Sequence, residues 1–148
     1  MGSDPFSPPQ SAKIILDTNI VLDAFVFTDP AAIPLLAGLR NGTLHWIATQ
    51  PMRDELERVL AYPKIVKRLA YYEVAASSVL AQFDALVQIE GVADKAPITC
   101  KDPDDQKFID LAVAHRSRIL SKDNAVLCMK KRLLALGSIA QAAIENVA

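Results

Sequence analysis

Three carboxylates stand in four positions of CKDPDDQKF, residues 100–108: Asp102, Asp104 and Asp105. They come just before a stretch with helical periodicity, so two chemistries compete for them. Asp at an N-cap, Pro at the first helical position and acids in the first turn make a good helix start. The same oxygens suit a hard divalent cation. Asp17 ends the apolar run KIIL, and a buried strand end is a costly place for an unpaired charge. Asp123 follows a second apolar run, RIL at 118–120, and reads equally as the cap of the helix holding Val126 and Leu127. Glu55 and Glu57 lie in the first half of a helical pattern, where a solvated face is the plain reading.

The elements that must position these acids follow from hydrophobic period and punctuation. Lys13–Leu16 predicts a buried strand and Asn19–Phe27 a helix. PAAIPLLAGLR predicts another helix, opened by Asp29-Pro30 and closed by Asn41-Gly42. LHWIA at 44–48 predicts the second strand, with Trp46 in the core. Met52–Leu60 is amphipathic, with Met52, Leu56, Val59 and Leu60 on one face. Tyr62-Pro63 interrupts it, and Lys64–Ile89 predicts helix in one or two pieces. Gly91–Thr99 predicts a loop, with or without a short edge strand. Helix is expected over Asp104–His115, strand over Arg118–Leu120, helix over Asp123–Ala135 and a last strand over Ser138–Ala142.

Short apolar strands alternating with helices imply a three-layer α/β/α sandwich around a mostly parallel sheet of four to five strands. In such sheets ligands gather outside the carboxyl ends of the strands. Asp17, Glu55, Glu57, Asp104, Asp105 and Asp123 are all delivered towards that rim. Two like charges 4 Å apart repel by about 4 kcal/mol at an effective dielectric near 20, so a crowded rim calls for protons or cations. No histidine or cysteine cluster competes for a softer metal, which points to Mg²⁺ or a similar ion.

The totals exclude several classes. The chain has 148 residues, the size of one domain, and half of them are apolar. No apolar run reaches the roughly 18 residues of a membrane span. The expectation is a soluble cytoplasmic protein without membrane contact, its two cysteines, Cys100 and Cys128, free thiols. Sixteen basic against seventeen acidic side chains, net −1, deny it the overall positive field of many nucleic-acid binders, though local patches remain open. MGSDPFSPPQ lacks a signal peptide's basic start and apolar centre; residues 1–11 read as an appended, disordered leader and 12–148 as a single domain.

LDTNIVLDAF at 16–25, DELERVLAYPK at 54–64, KDPDDQKFIDLA at 101–112 and ILSKDNAVL at 119–127 together resemble the PIN-domain family, most closely its toxin–antitoxin toxin branch. The resemblance implies a small parallel-sheet nuclease that holds Mg²⁺ or Mn²⁺ in an acidic pocket and cleaves RNA. It also implies a homodimer and a cognate antitoxin protein as partner. Carried over block by block, the catalytic and metal-binding acids are Asp17, Glu55, Asp105 and Asp123. Asn19 anchors the loop beside the metal, Ser121 stands where threonine is commoner, and Asp104 is a secondary candidate. The tail after Asp123 is longer and more basic than the family pattern and matches its last strand loosely.

Under that resemblance RNA phosphates would meet Arg53, Lys101, Lys107, Lys122, Lys130, Lys131 and Arg132. The rival reading is a catalytically silent PIN fold that binds RNA or antitoxin. A phospho-accepting signalling domain needs an acceptor Asp after a central strand, and ATQP at 48–51 has none. A haloacid-dehalogenase-like phosphatase needs a second aspartate where Asp17-Thr18-Asn19 has asparagine.

Overall fold

The computed structural model of the chain describes residues 13–144, so the leader assigned to residues 1–11 lies outside the described residues. Five parallel strands form one sheet in the order β3-β2-β1-β4-β5, flanked by helices in an α/β/α sandwich. The strands are β1 (Lys13–Leu16), β2 (His45–Ala48), β3 (Gln88–Ile89), β4 (Arg118–Leu120) and β5 (Ile139–Gln141). Between β1 and β2 lie α1 (Thr18–Phe25) and α2 (Ile33–Asn41); α3 (Gln50–Leu60), α4 (Pro63–Tyr72) and α5 (Ala76–Leu86) lead to β3. α6 (Gln106–His115) precedes β4, and α7 (Asn124–Leu127) and α8 (Lys130–Ala135) connect it to β5.

From β1 the chain first builds outward through β2 and β3, then returns to add β4 and β5 on the other side. The winding reverses between β1 and β4, the place where an open α/β sheet forms a ligand crevice. Register brings the two strand ends level: Leu16 pairs with Leu120, and the Asp17 N–H donates to the Leu120 carbonyl at 3.1 Å. Asp17 and Ser121 therefore leave the sheet side by side.

The core supports that edge. Ile14, Ile15, Leu16, Ile119 and Leu120 are buried, as two-face coverage of a parallel strand requires. Trp46 is a core residue, 1% exposed, stacked on Phe25 at 5.7 Å and edge-on to Phe83 at 5.0 Å. Gly42, at φ 83°, takes the left-handed position that ends α2, as Asn41-Gly42 predicts. Both cysteines are free. Among the described residues no single helix is long and apolar enough to cross a membrane.

Two expectations need correction. The stretch 64–89 is two helices and a strand. Glu73 at φ 55° closes α4, with the Val74 N–H on the Leu69 carbonyl. After α5, Gln88 and Ile89 pair with Ile47 and Ala48 as the sheet edge, so no strand falls in 91–99. The helix expected over Asp123–Ala135 breaks after Leu127, where Met129 turns inward and is fully buried. The last strand does form: β5 pairs with β4 from Arg118↔Ile139 to Leu120↔Gln141.

Candidate metal centre

Each acid on the rim is held by the local structure its sequence encodes. Asp17 is the N-cap of α1, accepting from the Ile20 N–H at 2.9 Å, and is only 4% exposed. Burial pushes its carboxyl above the usual carboxylate range, against the lowering effect of hydrogen bonds from Ser121 and Ile20; the charges of Asp123 and Asp23 add to the rise. Ser121 is fully buried and joins the two strand ends, since its hydroxyl also accepts from the Asp123 N–H at 3.0 Å. Asp123 in turn caps α7, accepting from the Ala125 N–H at 2.9 Å.

The DPDD segment forms a 3₁₀ turn, Pro103–Asp105, ahead of α6. Asp102 caps it, accepting from the Asp104 N–H at 3.0 Å. Asp102 and Asp105, flanking and ending that turn, bring their oxygens close together, and Asp104 is exposed. The preceding loop is clamped from α6: Gln106 accepts from the Cys100 N–H at 2.6 Å, and Asp110 accepts from the Ala96 N–H at 2.8 Å.

Asp102, Asp105 and Asp123 each present a carboxylate oxygen such that the three lie within 4.8 Å of one another. Asp105 is pushed up to about 7, first by burial, then by its hydrogen-bonding contact with the Asp123 carboxyl and by the charges of Asp123, Asp102 and Asp17. Its Oδ2 is buried, and no donor among the described residues reaches it. A buried carboxylate oxygen without a donor is costly, and a proton or a cation relieves that cost. Three hard oxygens with one such atom are the donor set that a Mg²⁺- or Mn²⁺-like ion takes.

A model of the PIN domain family matches residues 13–125. The chain belongs to the PIN-domain family. None of the curated proteins compared with it matches. PIN domains are generally nucleases that use divalent metals, and the acidic triad of this one fits a metal site.

The PIN fold does not draw all four expected acids into one tight group. Asp105 and Asp123 are in the triad, and Asp17 lies behind it, coupled by charge. Glu55, on the second turn of α3, faces the rim but is bound to Thr18 through Oε2 and to Lys107 through Oε1, each at 2.5 Å. Lys107 also donates to the Asp104 carbonyl, tying α3 to the DPDD turn. Asn19 is exposed, and its side chain forms no hydrogen bond among the described residues.

The expected phosphate-binding cations divide. Arg53 is bidentate to Asp84, at 2.7 and 2.8 Å, Lys107 holds Glu55, and Lys122 holds Asp23 with Asp29 3.9 Å away. Lys101 is exposed, as are Lys130, Lys131 and Arg132, which as consecutive helical residues diverge around α8. Two rim residues are not among the acids expected at the site: Asp102, which joins the triad while capping the turn, and Asp23, the partner of Lys122. The i, i+3 spacing of Asp102 and Asp105 is visible in the sequence, but its meaning depends on Asp123, whose oxygen the tertiary structure brings to the pair.

Proposed function

We propose that this PIN domain is a divalent-metal-dependent endoribonuclease that hydrolyses RNA phosphodiester bonds, and that it is the toxin of a toxin–antitoxin pair. The observation that supports it is the Asp102–Asp105–Asp123 group with its donorless Asp105 oxygen at the β1/β4 switch point. Those three residues would hold the ion, with Asp17 contributing charge from behind. When bound, the cation supplies Lewis-acid stabilisation of phosphoryl charge and acidifies water.

The chain's own residues do the rest. The Asp105 carboxyl, pushed up to about 7, is the group that holds a proton near neutral pH and gives it up on metal binding. Thr18 and Lys107 fix the Glu55 carboxyl on the rim, where it orients an attacking water. Ser121 keeps Asp17 and Asp123 in register. Lys101, exposed beside the triad, meets a substrate phosphate.

The test is cleavage of several RNAs with Mg²⁺, with Mn²⁺ and with EDTA, by wild type and by Asp17→Asn and Asp105→Asn. Metal-dependent cleavage that both substitutions remove is the expected result. Equal degradation by all three proteins identifies a contaminant and ends the reading. The toxin role, an antitoxin partner and a homodimer rest on the resemblance of the four sequence blocks, and a cytoplasmic site of action on the two free cysteines. Growth arrest on expression, relieved by a co-expressed partner that co-purifies, tests the toxin role; sedimentation tests the dimer.

A further inference from the structure

The ion pairs of the rim leave the cations of α4 untouched. α4 carries Lys64, Lys67 and Arg68 and no acidic side chain. Among the described residues none of the three enters an ion pair, whereas Arg53, Lys107 and Lys122 all do. In a chain of net charge −1 this is a local excess of positive charge.

Helix geometry gathers that excess. Lys64, Lys67, Arg68 and Tyr71 follow i, i+3, i+4, i+7, and so share a stripe about 100° wide. All four are exposed, Tyr71 by 80%. The neighbouring stripe fixes the helix's rotation: Leu69 is buried, and Ile65 and Tyr72 are partly buried against the core. Arg68 lies 4.1 Å from the centre of the Phe27 ring. An aromatic partner positions the guanidinium while leaving its charge uncompensated by any acid.

A relay of contacts links α4 to the rim. Phe27 also meets Tyr72, at 5.8 Å, and two residues on, the Asp29 N–H donates to the Asp23 carbonyl at 3.0 Å. Asp23 and Asp29 hold Lys122, the neighbour of Asp123. The Lys130–Lys131–Arg132 run has as many cations but no common face, because successive helical residues point about 100° apart.

We infer that the Lys64–Lys67–Arg68–Tyr71 stripe is the track for the backbone of a single-stranded RNA whose scissile phosphate lies at the Asp102–Asp105–Asp123 group. The three cations contact phosphates, and the Tyr71 ring stacks on one base. The identity of the ligand as RNA rests on the ribonuclease reading, but binding along α4 requires neither metal nor chemistry.

The test is fluorescence anisotropy of a labelled single-stranded RNA with the full chain in EDTA, across a salt series. Replacing Lys64, Lys67 and Arg68 together by Gln lowers the slope of log affinity against log salt by about 2, and low-salt affinity by about tenfold or more. The same treatment of Lys130, Lys131 and Arg132 changes the slope by less than half as much. Tyr71→Ala weakens binding by roughly fivefold or more, and Tyr71→Phe restores it. Unaltered circular dichroism and melting show that the α4 variant is folded. Three results overturn the inference: no salt-dependent RNA binding by wild type, an unchanged slope in the folded α4 variant, or an equal loss from the α8 variant. RNA held through α4 but never cut with Mn²⁺ sinks the ribonuclease reading alone. RNA cut by wild type yet bound equally by the α4 variant sinks this inference alone.

Discussion

Two groups of acids share the carboxyl-end rim and are treated in opposite ways. Asp23, Asp29 and Glu55 are each served by a lysine of the same chain, Lys122 for the first two and Lys107 for the third. Asp102, Asp105 and Asp123 stand within 4.8 Å of one another with no lysine or arginine in an ion pair to any of them among the described residues. Crowding carboxylates costs several kcal/mol wherever it happens. Where only framework is needed, internal cations offset that cost; where it is left standing, the site is suited to an ion from solution. The neutralised acids shape the rim, and the triad is where chemistry is expected.

The comparison breaks most directly at Asp105. Asp105→Asn removes metal-dependent cleavage by more than the roughly 10–100-fold that losing an outer contact costs, and abolishes the rise in Tm on adding Mn²⁺. If Asp105→Asn cleaves like wild type, the triad is not the metal centre. Lys107→Gln tests the neutralised side: it frees Glu55 from α6 and lowers kcat by roughly 10–100-fold, with Mn²⁺ binding by calorimetry little changed. A loss of metal binding as large as the loss of kcat would erase the distinction between the two groups.

Titration sharpens the same contrast. Asp105 is pushed up to about 7 in the folded chain, so the native state keeps a proton that the unfolded chain has released. Without metal, stability is therefore highest at acid pH from this group's standpoint, falls as pH rises from about 4, and levels off above about 7. Asp105→Asn flattens that part of the pH–Tm curve. Because metal must displace the proton, apparent Mn²⁺ affinity rises by about tenfold per pH unit below 7 and levels off above it. An affinity independent of pH across that window contradicts a protonated Asp105. The smallest effect is expected at Asp104, whose side chain faces solvent: Asp104→Asn changes cleavage by no more than about twofold.

Much of this was legible because local rules and tertiary needs coincide. KIIL, HWIA and RIL are strands because each must be buried on both faces, and their composition says so. Asp17, Asp102 and Asp123 sit at helix starts because Asp caps well there. Gln88-Ile89 was not legible, since a two-residue edge strand has no period of its own and exists only through the end of β2. The break at Cys128–Met129 was hidden for a related reason: burial of Met129, not propensity, ends the helix.

In CKDPDDQKF the division is sharpest. Residue types alone determined that this segment starts a helix and brings several carboxylates to the rim, because Asp-Pro-Asp-Asp satisfies the free N–H groups of a first turn wherever it occurs. Tertiary structure decided which of them matter together. The cap and the turn after it bring Asp102 and Asp105 together and leave Asp104 exposed, while the β1–β4 register sets Asp123 against the pair. Those are properties of distance between segments remote in sequence, and burial, which raises the cost of the unrelieved charge, exists only once the sheet has formed.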